Sequence, residues 1–458
     1  MPSSPDGPFR PAGDGMNERA SFPYEEAPFR PFHIRVTVAS FGGVFCDGAE
    51  LGIVGMALGA ATPALGLTPL WVGLLGGASL LGLFLGALLT GPVADRHGRR
   101  PLFAWNMLLL GLVSMAQFFV QSPTQLLVAR LLIGVLLGTD YVVSKALLTE
   151  FIPGRHRAGI MSSLAVAWAS GYAAAYAAGY AISHVDSFAG SDLWRFMLLA
   201  SAIPCLFIFP LRVTLPESPM WLAAQGRNQE AREIVRRHIG EDVQPPPPLV
   251  KPPRDRRHLA ELMSAPWGRR TLVACTYFTT SVIPYFAIGT FVNQVLQDLK
   301  VEGAAAAGLV YNLAIVLGAI GGLLTIDRMP RRTFLNGTYL LSGGAMLALV
   351  LLDHPPTFVS VALFAVFASV LSASSNLVYV YLPELFPTSL RASGLGLAIA
   401  SSRVGSAVST FLLPILVGSF GIHVALGACV AVLALGGITC YLLAPETRGL
   451  GLAGDASA

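Results

Sequence analysis

Charged residues are scarce in this sequence. Only 12% of its 458 residues are Asp, Glu, Lys or Arg, against about 25% in soluble globular domains. Hydrophobic residues make up 54% of the chain, which is more apolar surface than a water-soluble fold could bury. The composition therefore excludes a soluble globular protein, and a formal net charge of +4 gives no support to nucleic-acid binding.

Cysteines and catalytic motifs are also few. All five cysteines fall within apolar runs, so neither disulfides nor a cysteine metal site is expected. The sequence contains no GxxxxGK[ST] loop and no Ser/His/Asp or metal-ligand cluster, which argues against an ATP-driven pump, an enzyme, a metal site and a cofactor. Residues 1–32 are polar and rich in Pro and Gly. They lack the apolar core of a signal peptide and are predicted to form a disordered tail.

Long apolar runs recur along the chain, each close to the roughly 20 residues that cross a bilayer as a helix. The runs are continuous, whereas the strands of a membrane barrel alternate between apolar and polar residues. The predicted fold is therefore an all-α polytopic membrane protein with twelve transmembrane helices. The helices are centred near Asp47, Leu81, Leu110, Val135, Ala173, Ile203, Ile283, Val316, Met346, Val366, Val404 and Val430.

The basic residues predict the orientation of the chain. With twelve spans, both termini lie on one side of the membrane, and 25 of the 30 Lys and Arg residues are assigned to that side. Arg130, Lys145 and Arg403 fall inside spans, which leaves Arg195 and Lys300 for the other side. By the positive-inside rule, both termini are predicted to be cytoplasmic, in the cytoplasmic (inner) membrane.

Three sequence motifs occur twice in the chain, and the two copies of each lie 229 to 234 residues apart. GPVADRHGRRPLF after span 2 corresponds to LLTIDRMPRRTFL after span 8, and PESP after span 6 corresponds to PETR after span 12. A Glu with an Arg seven residues later follows both span 4 and span 10. An even number of spans separates each pair, so both halves keep one orientation, as in transporters built from parallel repeats. The predicted regions are a tail (1–32), a six-helix half (33–212), a cytoplasmic connector (213–268), a second six-helix half (269–444) and a C-terminal tail (445–458).

These motifs, with PELFPTSLRASG after span 10, resemble the sugar-porter-like branch of the major facilitator superfamily over about residues 34–449. DGAELGIVG on span 1, DYVVSKALLTEFIPGRHRAG on span 4 and SRVGSAVSTFLLP on span 11 look most like bacterial metabolite:proton symporters. The resemblance implies the major facilitator fold, alternating access, a small-molecule substrate and protons as partners. Span 7 reads TYFTTSVIPYFAIGTFVNQ and lacks the glutamine-rich hexose motif of true sugar porters, which argues against a hexose.

Charged residues repeat where spans 2, 4, 8 and 10 reach the cytoplasmic side. One interpretation is a set of helix-end ion pairs near the surface. The other, which the resemblance favours, is a latch that holds the cytoplasmic ends of the halves together while the site faces outward. Glycines at 91 and 98 would allow a tight turn and close helix approach, a role in which Pro330 replaces the usual glycine. The predicted gate consists of Gly91, Asp95, Arg96, Gly98, Arg99, Glu150, Arg157, Asp327, Arg328, Arg331, Glu384 and Arg391.

Two acids in span 1 are candidates for proton coupling. Asp47 and Glu50 lie three residues apart near the middle of the span, on neighbouring parts of one helix face. In the resemblance, Glu50 matches the proton-coupling acid of sugar-proton symporters, and Arg130 of span 4 matches its arginine partner. The alternative is a static interhelical ion pair that only stabilises packing.

The remaining intramembrane polar groups predict a substrate site formed by Asp140, Lys145, Tyr172, Asn376 and Arg403. Two cations around a central cavity indicate an organic anion such as a carboxylate. If Asp47 or Asp140 neutralises Lys145 instead, the cavity would suit a neutral sugar or polyol.

The predicted function is proton-coupled symport of an organic anion. A sugar or polyol transporter, proton-coupled or facilitative, and a sensor or scaffold without transport are the alternatives. The expected partners are a small-molecule substrate, protons and the lipid bilayer, and the expected state is a monomer.

Overall fold

The computed structural model describes residues 22–185, 190, 192–247, 257–265, 267–352 and 355–448. Within them, twelve helices are long and apolar enough to cross a membrane, as predicted. We number them as spans 1 to 12: Pro31–Leu65, Pro69–His97, Arg100–Phe119, Pro123–Phe151, Gly154–Ser183, Leu193–Val213, Trp267–Thr290, Ala304–Thr325, Arg331–Leu351, Thr357–Ser374, Ser393–Phe420 and Ile422–Leu443.

Several spans are interrupted or extended. Span 1 consists of Pro31–Gly52 and Val54–Leu65, and span 6 of Leu193–Ala200 and Ala202–Val213. Spans 7 and 10 continue as the short helices Val292–Asp298 and Leu377–Glu384, and the helix of span 11 begins at Thr388. The shorter elements outside the spans are Tyr24–Glu26, Pro219–Ala224, Asn228–Ile234, Val235–Ile239 and Arg257–Met263.

Capping side chains and prolines determine where spans 2 and 4 begin. The side chains of Thr68 and Ser122 accept hydrogen bonds from the backbone N–H groups of Trp71 and Gln125. A proline occupies the first helical turn in both cases. A side-chain acceptor and a proline without an N–H group satisfy or remove the donors that a helix start leaves unpaired.

The halves meet through two pairs of helices around a central cavity. Span 2 packs against span 11, and span 5 packs against span 8. We call the terminal face the side that carries Pro31, His97, Phe151, Val213 and Leu443, and the other side the opposite face. Because twelve spans separate them, the described N- and C-terminal ends lie together at the terminal face.

The halves are closely packed near the opposite face. Gly55 of span 1 lies against the backbone of Thr290, and Gly73 of span 2 lies against the backbone of span 11, with no room for a Cβ atom at either glycine. The hydroxyl of Tyr176 donates a hydrogen bond to the backbone carbonyl of Ala305 across the halves, at 3.2 Å. These contacts close the opposite face, which the sequence did not predict.

The segment 22–30 corrects the prediction of a disordered tail. Its Tyr24 hydroxyl donates a hydrogen bond to the backbone carbonyl at the end of span 4, at 2.9 Å. Arg30 forms an ion pair with Asp242 of the connector at 2.6 Å. These contacts with the first half and the connector order the segment. Residues 1–21 lie outside the described residues.

The connector contains a broken helix rather than one continuous helix after span 6. Pro219–Ala224 is followed by Asn228–Ile234 and a π-helical turn at Val235–Ile239. The break occurs at Gly226, whose φ of 77° lies in the left-handed region that glycine adopts readily. In the proline-rich stretch QPPPPLVKPPR (244–254), residues 244–247 are not helical, and the remainder lies outside the described residues.

Candidate functional site

A central cavity of about 120 Å³ lies between the halves. Spans 1, 2, 4, 5, 7, 10 and 11 all contribute side chains to it. Of the described acidic and basic residues, Asp47, Lys145 and Arg403 line its wall. Aromatic rings form much of the remaining wall: Tyr141, Trp168, Tyr277, Tyr285, Phe286 and Tyr379.

The two cavity cations lie against aromatic rings. The ammonium of Lys145 lies 3.2 Å from the ring centroid of Tyr141 and 5.1 Å from that of Tyr379. The guanidinium of Arg403 lies 5.1 Å from the same Tyr141 ring. Among the described residues, no carboxylate oxygen comes within 4.0 Å of either cation. Lys145 and Arg403 therefore meet at the cavity, as the sequence predicts, without an acidic partner.

Asp47 and Glu50 face different surroundings although only three residues separate them. Asp47 lines the cavity, is 5% exposed, and its Oδ1 atom accepts no hydrogen bond from the described residues. Glu50 lies outside the cavity lining, where Ser114 donates a hydrogen bond to it. Arg130 Nη1 lies 3.9 Å from Glu50 Oε2, and both side chains are buried. The expected pairing of Glu50 with Arg130 is thus present as a loose contact.

Asp140 is not a cavity residue, which corrects its assignment to the substrate site. It forms a fully buried ion pair with Arg212, while Ser144 donates a hydrogen bond to its Oδ2 atom at 2.9 Å. Gly43 of span 1 packs directly against this pair. Arg212, assigned from the sequence to the terminal-side loops, is buried at the end of span 6 because it neutralises Asp140.

Tyr172 and Asn376 also lie outside the cavity lining, contrary to their predicted positions. Tyr172 is 2% exposed and stacks on Trp168, whose ring also contacts Tyr285 of the cavity wall. The side-chain amide of Asn376 donates hydrogen bonds to the backbone carbonyls of Ala319 and Ala373, both at 3.2 Å. It stabilises the interruption between span 10 and its extension, so a packing role accounts for its position.

The charged cluster of the first half centres on Arg99 at the terminal face. Its guanidinium lies 3.4 Å from Asp95 and 3.3 Å from Glu150. Glu217 of the PESP motif accepts a hydrogen bond from the backbone N–H of Arg99 at 3.0 Å. Gly98 has a φ of 96°, and a Cβ atom there would collide with Glu217. A side chain at position 98 would therefore be strained, and Glu217 is an additional member of the cluster.

The second half repeats this arrangement around Arg331. Its guanidinium lies 3.4 Å from Asp327 and 3.6 Å from Glu384. Glu446 of the PETR motif accepts a backbone hydrogen bond from Arg331 at 2.9 Å. Burial of Glu446 opposes its ionisation, but the backbone N–H groups of Arg448 and of the first two residues of span 9 hold the pKa of Glu446 below its ordinary value. Both halves thus use a motif glutamate to cap a helix start.

The other predicted gate residues differ from this pattern. Gly91 lies within span 2 with open space around it, so the expectation that it permits close helix approach is wrong. Arg157 pairs with Glu25 at 2.6 Å rather than with Glu150. Arg391 donates a hydrogen bond to a backbone carbonyl of the span 10 extension at 3.1 Å. Three members of the predicted gate are exposed at the terminal face: Arg96, Asp327 and Arg328.

Sequence reasoning missed four residues: Tyr141, Arg212, Glu217 and Glu446. A signal existed for the two glutamates, because they occupy the same place in the repeated PESP and PETR motifs. Tyr141 lies one helical turn before Lys145, a spacing that brings side chains together. For Arg212, its position at the end of an apolar run gave no indication that the side chain points inward.

Comparison with known proteins identifies the family. Residues 36–454 match the family described as sugar (and other) transporter. The chain belongs to this family. It is 39% identical over 428 residues to the inner membrane metabolite transport protein YgcS of Escherichia coli, covering 93% of this chain and 95% of that protein. It is 36% identical over 440 residues to the putative metabolite transport protein YaaU of the same organism, covering 94% and 96%.

The fold of this family member is similar to that of the xylose transporter XylE from E. coli. A partially occluded inward-open structure of XylE superimposes with a TM-score of 0.77, at 17% identity, covering 92% of this chain and 99% of XylE. A second structure, described as a major facilitator superfamily proton:xylose symporter, gives a TM-score of 0.70 at 18% identity, covering 92% and 98%. The family member is therefore a multi-pass inner-membrane metabolite transporter with the major facilitator fold, and not an enzyme.

Proposed function

We propose that this transporter carries a small organic anion, a carboxylate, together with protons by alternating access. The observation that carries the proposal is the pair of cations, Lys145 and Arg403, at a cavity where no described carboxylate lies within 4.0 Å of either. Cations removed from water are costly unless an opposite charge compensates them. An anionic substrate would supply that charge each time it binds.

The surroundings of Glu50 support proton coupling. Glu50 and Arg130 are both buried, and their 3.9 Å separation leaves Oε2 of the acid without a hydrogen bond from the described residues. A buried carboxyl group with a loosely held cation can change protonation when its surroundings alternate. Asp47, at the cavity wall one turn away, is a second candidate for carrying the proton.

The closed opposite face supports the assignment of this conformation as inward-facing. By the positive-inside argument, the terminal face is cytoplasmic, so the closed face is external and the conformation is inward-facing. The ion pairs of Arg99 and of Arg331 lie within their own halves in this conformation. The latch, in which these clusters join the halves while the site faces outward, stays a prediction.

A neutral sugar or polyol is the second candidate. The hydroxyl groups of Ser281, Ser372 and Ser375 line the cavity beside its aromatic wall. Hydroxyl groups and ring faces are suited to a polyhydroxylated ligand. In that case Asp47 would balance part of the positive charge, and no anion would be needed.

Uptake into energised membrane vesicles separates these candidates. We would compare benzoate with benzamide and gluconate with sorbitol, each with and without a protonophore. The proposal expects accumulation of a carboxylate that the protonophore abolishes, with little accumulation of its neutral partner. Accumulation of the neutral partner alone would favour the polyol transporter, and uptake that the protonophore does not affect would refute proton coupling.

Lys145→Met tests the anion site. The variant should raise the apparent Kd for the carboxylate more than tenfold, because a charge-assisted hydrogen bond contributes about 1.5 to 3 kcal/mol. Binding of the neutral partner should change little. Lys300→Met removes an exposed lysine and serves as the control. If both ligands lose affinity equally and Asp47→Asn restores it, Lys145 only balances an acid, and the anion proposal fails.

A further inference from the structure

Tyr141 lies between the two cations of the cavity, and the proposed function assigns it no role. It belongs to span 4 of the first half, and its ring contacts Lys145 of the same span and Arg403 of the second half. Lys145 in turn faces Tyr379 of the second half. One ring therefore receives both cations of the cavity, and two cation–π contacts join the halves.

In this arrangement the positive charges of Lys145 and Arg403 are incompletely compensated. A ring face attracts a cation through its quadrupole, and the attraction is much weaker than that of a carboxylate at the same distance. Arg403 is 8% exposed, and its Nε atom has no hydrogen-bond partner among the described residues. Two cations that share one ring also repel each other, and a carboxylate between them would relieve that repulsion.

The Tyr141 ring covers one side of the Lys145 ammonium, where such a carboxylate could otherwise bind. The Lys145 ammonium lies 3.2 Å from the Tyr141 centroid, so that side of the cation is covered. Tyr379 covers it at a longer distance, 5.1 Å. Since these side chains all line the cavity, a carboxylate that binds the covered sides of Lys145 and Arg403 must take the place of the Tyr141 ring.

We propose that Tyr141 is a specificity-determining residue: its ring occupies Lys145 and Arg403 in the empty carrier, and the substrate's carboxylate displaces it. The proposal rests on the anionic substrate proposed above. A neutral ligand cannot replace the ring on both cations, so the ring selects against it. Displacement also breaks the Tyr141–Arg403 contact between the halves, so that substrate binding loosens the carrier beside its site.

Removing the Tyr141 ring distinguishes a ring that competes with the substrate from a ring that positions the cations for it. If the ring competes with the substrate, Tyr141→Leu should lower the Kd for labelled gluconate or benzoate about five- to thirtyfold, the equivalent of losing one to two partly desolvated cation–π contacts. Tyr141→Phe keeps the ring face and should give a clearly smaller decrease. Tyr441→Leu, at a side chain that is 64% exposed on span 12, is the control. A raised Kd in Tyr141→Leu would mean that the ring positions the cations for the substrate, and would overturn the proposal.

A second measurement needs no substrate and distinguishes failure of this proposal from failure of the anionic function. In a background with the native cysteines replaced by serine, Ser375→Cys places a thiol at the cavity wall. Its labelling by a membrane-impermeant maleimide from the terminal side should become several-fold faster when Tyr141→Leu is added. Unchanged labelling would overturn the bridging role. If the parent binds neither carboxylate but the labelling rate rises, the anionic substrate and its displacement of the ring are wrong, and the bridge between the halves stands.

Discussion

Arg212→Met should destabilise the transporter more than any other single loss of a charged group described above. All five N–H donors of Arg212 are used: they bind the backbone carbonyls of Ala39 and Phe103, both oxygens of Asp140, and the hydroxyl of Ser144. The guanidinium carbon also lies 3.9 Å from the centroid of the Phe103 ring. One side chain thus joins spans 1, 3, 4 and 6.

The expected loss of stability follows from the buried carboxylate that Arg212→Met leaves unpaired. Without Arg212, the buried carboxylate of Asp140 keeps only the hydrogen bond from Ser144. Removing one partner of a buried ion pair costs about 3 to 5 kcal/mol, which is a large share of the 5 to 15 kcal/mol that stabilises a typical protein. Asp140→Leu together with Arg212→Met removes both charges, so most of the loss should be recovered.

Thermal unfolding of detergent-solubilised protein, followed by size-exclusion chromatography, measures these differences. Arg236→Met, on the exposed surface of the connector, is the control and should melt like the parent. The double variant should also bind the substrate normally, because Asp140 does not line the cavity. The reasoning fails if Arg212→Met melts like the control, or if the double variant is as unstable as the sum of the two single variants.

Three further predictions concern the proposed proton-coupling residue Glu50 and the two faces. Glu50→Gln should abolish accumulation against a gradient yet leave counterflow exchange measurable in vesicles, whereas Glu302→Gln, at an exposed residue, should change neither. Tyr176→Phe removes the hydrogen bond that crosses the opposite face and should shift the carrier toward opening there about two- to tenfold, as cysteine labelling from that face would reveal. Glu446→Gln should lower the melting temperature at neutral pH. Because the folded-state pKa of Glu446 is depressed, this difference should disappear as pH falls through that pKa. An equal difference at low and neutral pH would contradict it.

The number of spans, their parallel repeat and the family were determined by the sequence alone. Apolar runs such as the one around Leu81 define helices because lipid offers no partner to a backbone polar group, so each span must satisfy its own hydrogen bonds. Repeated motifs also placed Arg99 and Arg331 in equivalent clusters, since local sequence and span number determine where a loop lies. Lys145 and Arg403 could be predicted as cavity residues because a charge within lipid must face the protein interior.

Only the tertiary structure decided which of the inward-facing charges are paired. Asp140 and Lys145 lie five residues apart on one helix, yet Asp140 meets Arg212 and Lys145 meets Tyr141. The rotation of span 4, the depth of span 6 and the packing of the halves select these partners. None of these quantities is recorded in the periodicity of a single helix, which indicates at most which face turns away from the lipid. The closed opposite face has the same origin, because the alternating access proposed above would give one sequence two packings, and the sequence does not state which one the structure adopts.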